Sequence, residues 1–429
     1  MPGKFYTPSR FVLLFFLLAG ILLLRRPDML TNPQLYAEDG SVFLRDQLVF
    51  PGTAVFFPYN GQFHLLPRIL ALFESFCPLV AVPVLCSIAS VLINSLCLTI
   101  FFLPWNRWLI ENDWLRAAVS LVLATTLDGA EMLGFSGPLM WYLFLVGILL
   151  LFRPESSAPQ TTRGRSASVA AMALIGMSVA PMVTLAPMVI WLAIKRRGIQ
   201  RLIAVTLLAV FVAQFSALAF APRTDHPAQP LSGWPVLAAQ VATATVVTWV
   251  YGGVLTPLMG KNFSFTVSRY ASIGPPLFAV IGLAIVVTWL LTVSSPRDRA
   301  RLVFGLYLCL ATLASVLYTR NLIGLSLSLT GNAPFIPARY MVLDGALLLY
   351  MVCLLIQRLP LRDPRFQAAC LVLVFALGIR SNFHQQPYPD FHWKAAVPQL
   401  VEWRAAHAQG KPDPLVIPID PSPWAISLP

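Results

Sequence analysis

The sequence predicts an all-α polytopic membrane protein with about 11 transmembrane helices, in a range of about 10 to 13. Of its 429 residues, 57% are hydrophobic and only 11% are charged, a composition typical of chains that lie mostly in lipid. Many apolar runs approach the roughly 20 residues with which a helix crosses the hydrocarbon core, and short Arg-rich or Pro-rich breaks separate them. The predicted spans are residues 11–24, 79–103, 116–127, 138–152, 168–180, 182–195, 201–220, 275–294, 302–319, 340–357 and 366–380.

The first apolar run, 11–24, begins like a signal peptide but is predicted to remain as a membrane anchor. Lys4 and Arg10 precede it, no small-residue cleavage site follows it, and Arg25 and Arg26 close it. The N-terminus is therefore predicted to be cytoplasmic.

The basic residues are distributed as the positive-inside rule requires for this orientation. Seventeen of the thirty Lys and Arg residues fall in the predicted inner segments together with five acids, so these segments carry the whole net charge of +12. No basic stripe with interleaved aromatic residues is left to indicate nucleic-acid binding. The six cysteines lie in or beside apolar runs without a CxxC motif, which indicates neither a disulfide framework nor a zinc site.

The soluble parts are predicted to lie mainly on the outer face. Residues 1–380 form the transmembrane domain, with an outer loop at 25–78, and residues 381–429 form a small outer cap with a helix at 393–404 and a strand at 415–419. The apolar segment 234–259 does not fit the alternation of inner and outer loops as a single crossing. We expect it to be re-entrant or to lie along the outer interface, where it would wall a cavity. An ordinary span, which would invert everything downstream, is the alternative.

Two adjacent acids, Glu38 and Asp39, are the leading candidates for chemistry. Carboxylates beside a bilayer are costly to desolvate, so a site near a membrane cavity is the default explanation for them. Such an acid can take a proton from an attacking hydroxyl, or it can bind a divalent cation such as Mg²⁺ or Mn²⁺ that neutralises a phosphate. A structural role competes equally, because Asp39 precedes a plausible helix at residues 40–44 and Asp is a favoured N-cap.

Further polar residues of the predicted outer face are candidates for binding an anion or a substrate. His64 and Arg68 are four residues apart and share a helical face if Pro67 lies in the first turn. Their alternatives are capping or packing for His64 and snorkelling for Arg68. A solvated turn for Asp128 and Glu131, and an interfacial position for Arg339 and Tyr340, are at least as plausible as a functional role. Asp344, inside the tenth span, is predicted to pair with a neighbouring helix. The remaining candidates are Tyr59, Asn60, Asp128, Glu131, Arg339 and Tyr340.

The stretch Tyr36-Ala37-Glu38-Asp39-Gly40 and the later stretch from Pro58 to Arg68, with one span before them and many after, resemble the bacterial GT-C type integral membrane glycosyltransferases. The resemblance implies a polyprenyl-phosphate-linked sugar as donor and an outer loop whose acid is the catalytic base or a metal ligand. Carried to this chain, it implies Asp39 as the base, with Glu38 as helper or alternative. Many relatives have a large outer C-terminal domain, whereas about fifty residues remain here, which leaves recognition of the acceptor open.

The implied reaction is a direct displacement with inversion at the anomeric carbon, in which His64, Arg68 and Arg339 stabilise the departing phosphate. The acceptor is a cell-envelope glycan, a lipid or a protein, and the expected location is the bacterial cytoplasmic membrane with a periplasmic or extracellular C-terminus. A transporter or flippase for a lipid-linked or anionic solute is the alternative, and it predicts an inverted repeat and charges near the midplane. The candidate charges here cluster instead at the outer ends of spans, except for Asp344.

Overall fold

Helices make up nearly all of the regular structure that the computed structural model of the protein describes. The described residues are 5–126, 132–159, 161–221, 233–270, 287, 295–319, 338–411 and 413–429. The α-helices are Pro8–Arg25, Asp28–Thr31, Arg45–Val49, Leu65–Ser75, Val82–Thr99, Asp113–Thr126, Leu139–Phe152, Thr162–Ser178, Ala186–Lys195, Gly198–Phe220, Trp234–Thr248, Thr256–Met259, Lys261–Tyr270, Pro296–Thr319, Val342–Ile356, Pro364–Val374, Ala376–Asn382 and Trp393–Ala408. Two π-helices, Asp39–Leu44 and Trp249–Leu255, and short 3₁₀ turns complete the helical structure.

Six helices are long and apolar enough to cross a membrane, and two sharply bent helix pairs raise the number to eight if each pair is one span. The prediction of an all-α polytopic membrane protein is therefore confirmed, whereas the predicted number of about eleven spans is not. One predicted span, 275–294, lies almost wholly outside the described residues. Two others are helices of only 14 residues, Asp113–Thr126 and Leu139–Phe152. At 1.5 Å per residue each is about 21 Å long, shorter than the hydrocarbon core of about 30 Å.

The helices Thr162–Ser178 and Ala186–Lys195, which include most of the predicted spans 168–180 and 182–195, form a hairpin. They belong to a pair of apolar segments that is bent by 113° at residue 179. The two ends of the hairpin, away from its bend, lie beside residues 153–159. Arg165, in the first helix, donates to the carbonyl of Pro159. Gly198, just after the second helix, is so close to Glu155 that a Cβ there would lie 2.5 Å from the carboxylate. Both ends of the hairpin thus lie at the same end of the bundle, as the predicted pair of successive spans requires, and that each helix crosses the membrane separately stays a prediction.

Contacts between helix termini define two ends of the bundle. At one, which we call the site end, the Arg25 guanidinium donates to the carbonyls of Ala124 and Asn382 at 2.7 and 3.0 Å. At the other, which we call the arginine end, the Tyr6 amide donates to the Asp113 carboxylate at 2.9 Å. Cation–π contacts with Trp105 and Trp108 and an ion pair with Asp113 add further residues to the arginine end, namely Arg107, Arg153 and Arg301.

The C-terminal tail folds into a small cap of one helix and one β-hairpin. The helix Trp393–Ala408 and the strand Leu415–Pro418 confirm the two elements predicted here, and the strand pairs antiparallel with Ala425–Leu428. The sequence also predicts an apolar face on this helix with Trp393, Val397, Leu400 and Val401. Trp393 and Leu400 are buried and Val397 packs partly buried against the same cluster, but the prediction is wrong for Val401, which is 53% exposed. Trp403, three residues after Leu400, is buried in the cluster instead.

The cap holds the two candidate acids in position. The Ala37 amide donates to the carbonyl of Asp420 at 2.6 Å, and the Arg45 side chain donates to the carbonyl of Ser427 at 2.8 Å. A Cβ on Gly40 would lie 2.7 Å from Cδ1 of Ile419, so the backbone after the acids and the cap are in close contact. The acidic segment is consequently fixed from both sides, by the bundle and by the cap.

The segment Trp234–Met259 is one continuous helix with a π-helical middle, and it is long and apolar enough to cross a membrane. Leu237, in its first turn, packs against Leu317. Leu317 is near the C-terminal end of the helix Pro296–Thr319, which finishes at the site end. At its other end the carbonyl of Thr256 accepts from Asn382, which also donates to Thr126. Both ends of the helix therefore contact residues of the site end. That the segment is re-entrant or interfacial stays a prediction.

Candidate active site: a cavity lined by the acidic segment and Arg339

A cavity of about 230 Å³ lies at the site end of the bundle. The acidic segment, the loop 59–64, the stretch 135–141 and the ends of the helices Gly198–Phe220 and Pro296–Thr319 line it. Segments far apart in sequence thus meet around one space. Six of the ten predicted site residues line this cavity, namely Glu38, Asp39, Tyr59, His64, Arg339 and Tyr340.

Asp39 is buried in the wall of this cavity, with 4% of its surface exposed. One carboxylate oxygen accepts from the Ser136 hydroxyl at 2.5 Å and from the Gly137 amide at 3.2 Å. The other accepts from the Ser136 amide at 3.0 Å and from the Cys86 thiol at 3.5 Å. Because these donors belong to other segments, the alternative in which Asp39 caps its own helix is wrong. Glu38 is the N-cap residue of the helix Asp39–Leu44, and its side chain makes no capping bond.

The surroundings of Asp39 prepare it to exchange a proton near neutral pH. Burial raises the pKa of Asp39 from 3.8 to about 6, the hydrogen bonds from Ser136 oppose this rise, and the negative charge of Glu38 adds to it. A carboxyl with a pKa near the working pH is the form that general base catalysis favours, since it is ionised at pH 7 yet accepts a proton readily.

A second buried carboxyl, Glu74, lies close to Asp39, and the sequence did not single it out. Burial raises the pKa of Glu74 to about 8, the charge of Asp39 raises it further, and a hydrogen bond with Cys86 opposes the rise. The Cys86 thiol thus lies between two carboxyls that disfavour ionisation of each other. The sequence does carry a signal that could have identified Glu74: it is an acid inside the apolar run 65–76. This run forms the helix Leu65–Ser75.

A tight turn carries Tyr59 and His64 to the cavity. Tyr59 and Gln62 exchange both backbone hydrogen bonds, and the residues between them, Asn60 and Gly61, have φ of 50° and 71°. Positive φ at both central positions is the pattern of a type I′ turn, for which Asn-Gly is the preferred sequence. Asn60 therefore shapes the turn, and it is not among the residues that line the cavity. His64 precedes the helix Leu65–Ser75, in whose first turn Pro67 lies as predicted.

Arg68 does not line the cavity, so the structure contradicts the predicted meeting of Arg68 with His64 and the acids. Its guanidinium donates to the Asp46 carboxylate at 3.1 Å and to the carbonyl of Ala54 at 3.0 Å, and only 1% of its side chain is exposed. The ring of Phe43 lies between it and His64, 5.5 Å from the guanidinium and 5.7 Å from the imidazole. The helix turns Arg68 away from the cavity because Asp46 supplies the charge that a buried guanidinium needs.

Arg339 and Tyr340 line the cavity from the short helix Ala338–Met341. The Arg339 guanidinium lies 5.1 Å from the centre of the Tyr340 ring, and that ring meets Trp141 edge to face at 5.3 Å. The aromatic packing thus fixes the backbone from which the cation reaches the cavity. The two other predicted residues, Asp128 and Glu131, lie outside the described part of the chain.

The cavity also has an apolar wall that reaches the outer surface of the bundle. Phe215 and Leu218 line it, yet they are 56% and 43% exposed on the outside of the bundle. Gln214, one residue earlier, is buried and bonds both to the backbone of Phe63 and to the carbonyl of Gly176. The same helix therefore braces the turn that carries His64 and forms an exposed apolar wall of the cavity.

A divalent cation fits this donor set poorly. Glu38 and Asp39 are the acids among the described lining residues, and both oxygens of Asp39 already accept hydrogen bonds. Within the described ranges, no group of three or more His, Cys, Asp or Glu side chains could hold a metal ion.

The chain matches no family model, no curated protein and no solved structure. The assignment of a class therefore depends on the fold and the site alone. The fold defines an all-α polytopic membrane protein, and the site consists of a buried acid and a cation on the wall of one cavity at one end of the bundle.

Proposed function

We propose that the protein is an integral membrane glycosyltransferase that moves a sugar from a polyprenyl-phosphate donor to a glycan, lipid or protein acceptor of the cell envelope. The observation that supports it best is the presence of Asp39 and Arg339 on the walls of one cavity with an exposed apolar side. A base and a cation are the two groups that displacement of a phosphate by a hydroxyl requires.

In the proposed reaction, Asp39 removes the proton of an acceptor hydroxyl while its oxygen attacks the anomeric carbon of the donor sugar. The bond between that carbon and the phosphate oxygen breaks, and the polyprenyl phosphate leaves with the electron pair. The attack comes from the face opposite the leaving group, so the configuration inverts. Ser136 and Gly137 hold the carboxylate in place, which keeps it oriented toward the acceptor.

Arg339 would stabilise the negative charge that develops on the departing phosphate. A guanidinium is always protonated and offers two parallel donors to phosphate oxygens. His64 and Tyr59, which line the same cavity, supply further hydrogen-bonding groups, and Glu38 is positioned to assist Asp39. Arg68 is not part of this mechanism, because its charge is already paired with Asp46.

The lipid part of the donor would lie against Phe215 and Leu218, because these side chains line the cavity and are also exposed on the outside of the bundle. Such a route brings the activated sugar to the base laterally, from within the membrane. The proposed location is the bacterial cytoplasmic membrane, with the site end facing the periplasm or the exterior.

The test compares Asp39→Asn and Glu38→Gln with Glu402→Gln, an exposed acid of the cap helix that does not line the cavity. Each variant is expressed in a strain whose envelope glycans change on deletion of the gene, and the glycans are analysed after insertion of the protein is verified. Loss of a catalytic base costs about 10²- to 10⁴-fold in rate. We expect Asp39→Asn to reproduce the deletion and Glu402→Gln to resemble the wild type. Normal glycans in both Asp39→Asn and Glu38→Gln would refute the proposal.

A second candidate function, transport of a lipid-linked or anionic solute, is favoured by Asp344. This residue is 1% exposed inside a candidate span and packs on the π-helix, where a Cβ on Gly253 would lie 2.6 Å from its own Cβ. Among the described residues, no group donates a hydrogen bond of ordinary length to its carboxylate. The Cys309 thiol, which is a weak donor, lies nearby. Transport that Asp344→Asn abolishes and Asp39→Asn leaves intact would favour this function over the transferase.

A further inference from the structure

Two adjoining cavities lie at the arginine end, far from the acidic segment. The first, which we call the apolar cavity, has a volume of about 360 Å³ and is lined mainly by Leu, Ile, Phe, Met and Trp side chains. The second, which we call the arginine basin, has a volume of about 530 Å³ and a largely polar lining. Trp108, Leu109 and Arg301 line both. An apolar space thus continues directly into a polar one, as the tail and the headgroup of a lipid would require.

The charges of the two cavities favour an anion. Five arginines and two acids, Glu111 and Asp298, line them together, and the acids among the described lining residues all belong to the arginine basin. Arg107 pairs with Asp113, and Arg301 pairs with Asp298 at 3.2 Å, a carboxylate that also accepts from Ser295 and Tyr350. Three further arginines face one further acid in the lining, so a positive excess remains beside the Arg301–Asp298 pair. Positive charge at the mouth of an apolar space is the arrangement that holds an anionic headgroup in the interfacial region of a membrane.

The side chains between the two cavities are suited to the junction of chain and headgroup. The Arg301 guanidinium lies 5.2 Å from the Trp108 ring centre and 3.4 Å from the Tyr350 hydroxyl, which holds it at the boundary. The indole N–H of Trp108 is buried and has no hydrogen-bond partner among the described residues. A phosphate group at this boundary would contact the Arg301 guanidinium, and one of its oxygens would lie near the Trp108 indole N–H, from which it could accept a hydrogen bond.

The apolar cavity has a lipid-facing edge at Trp191. This side chain lines the cavity and is 45% exposed, and the Arg196 guanidinium, which also lines the cavity, lies 5.5 Å from its ring. A tryptophan beside an arginine is typical of the membrane–water interface, where one side meets hydrocarbon and the other meets headgroups. A lipid chain could therefore enter from the leaflet at the arginine end.

We infer that the arginine end holds a binding site for an anionic phospholipid, with one acyl chain in the apolar cavity and the phosphate at Arg301 in the arginine basin. This site is independent of the proposed transferase reaction and lies at the opposite end of the bundle. The occupant would be a lipid of the leaflet that faces the arginine end.

The test uses the full chain, purified in detergent, with bound lipid measured by native mass spectrometry. Phosphatidylglycerol and phosphatidylcholine with identical chains are offered in competition, and glycerol 3-phosphate serves as an anion without a chain. Arg301→Gln removes the proposed phosphate contact, and Arg301→Lys keeps the charge. Ala346→Phe fills the apolar cavity, which Ala346 lines. Arg197→Gln is the matched control, since Arg197 is exposed and lines neither cavity.

We expect the wild type to retain phosphatidylglycerol in preference to phosphatidylcholine. Arg301→Gln should weaken its retention about fivefold, because one arginine near an anionic headgroup contributes about that factor. Arg301→Lys and Arg197→Gln should retain it, and Ala346→Phe should lose both lipids. The inference is overturned if the wild type retains both lipids equally, or if Arg301→Gln retains as much phosphatidylglycerol as Arg197→Gln. It is also overturned if Ala346→Phe retains as much lipid as the wild type, or if glycerol 3-phosphate displaces the lipid. Should Arg301→Gln fail to fold, the preference of the wild type for one of the two lipids decides whether the inference holds.

Discussion

Replacement of Ser136 by Ala should raise the pKa of Asp39 without touching Asp39 itself. The substitution removes the hydroxyl that donates to the carboxylate at 2.5 Å and leaves the Ser136 and Gly137 amides in place. A hydrogen bond to a charged group contributes about 1.5–3 kcal/mol, and each pKa unit corresponds to about 1.4 kcal/mol. The pKa of Asp39 should therefore rise by about 1 to 2 from its value of about 6 in the wild type.

The assay is a pH titration of the protonated carboxyl band by infrared difference spectroscopy on the detergent-solubilised protein. Asp39→Asn identifies the band, because it removes only this carboxyl. Ser41→Ala is the matched control, since its hydroxyl donates to the carbonyl of Ala37 and not to Asp39. If Asp39 titrates near its ordinary value of 3.8 in the wild type, or if Ser136→Ala moves the midpoint no further than Ser41→Ala does, the account of the site is wrong. The proposed transferase activity should increase as pH rises through the same midpoint, because the base acts in its ionised form.

Three further predictions concern stability, measured as thermal unfolding in detergent. Arg68→Met should destabilise the protein by about 3 kcal/mol, the low end for a broken buried pair, because Asp46 loses its buried partner but still pairs with the more exposed Arg45 at 3.2 Å. The double variant with Asp46→Leu should recover much of this loss. Gly40→Ala should cost about 1–3 kcal/mol, because the new methyl group would lie 2.7 Å from Cδ1 of the buried Ile419 and must displace that side chain of the cap. Glu74→Gln should remove part of the pH dependence between pH 4.5 and 8, since the folded protein holds the Glu74 proton up to about pH 8 whereas the unfolded chain releases it near 4.5. The free energy of unfolding of the wild type should accordingly fall as pH rises through this window.

The control for these predictions removes a charge at an exposed position. Arg404→Met on the cap helix should leave the melting temperature within a degree or two of the wild type, since exposed charges contribute little and the Arg404 side chain makes only a long contact of 3.5 Å with the carbonyl of Ser75. An Arg68→Met variant as stable as Arg404→Met would mean that the Asp46 pair is not formed. Equal stability of Gly40→Ala and the wild type would show that the cap does not pack on the acidic segment as described. An unchanged pH dependence in Glu74→Gln would contradict the raised pKa of Glu74.

Much of the candidate site followed from local sequence. Charged and polar residues are rare in this chain, so they stand out in the sequence: the acid pair Glu38 and Asp39, His64 before a helix, and Arg339 at the start of a span. Six of the predicted site residues do line one cavity. The partners of these residues did not follow. Ser136 lies 97 positions from Asp39, and Asp46 is 22 positions from Arg68, separations at which no helical or strand period links two side chains.

The limits of the predicted spans and faces have the same origin. Composition marks 168–180 and 182–195 as apolar segments, but the bend of 113° between them is a property of the tertiary structure. Val401 and Trp403 both fit an apolar face of the cap helix, and the position of the hairpin against the helix decides that Trp403 is buried. Composition fixes how much apolar surface must be covered but not which neighbour covers it.

By itself, the sequence determined that this chain is a helical membrane protein, where its excess positive charge lies, and which few polar residues need an explanation. These properties depend on composition and on local spacing, which survive in any arrangement of the helices. Only the tertiary structure decided that Asp39 is held by Ser136 instead of capping its own helix, that Arg68 is paired with Asp46, and that Arg339 lines the same cavity as the acids. Each of these depends on which helix faces pack together, and that is settled by the fit of whole surfaces and the pairing of buried polar groups.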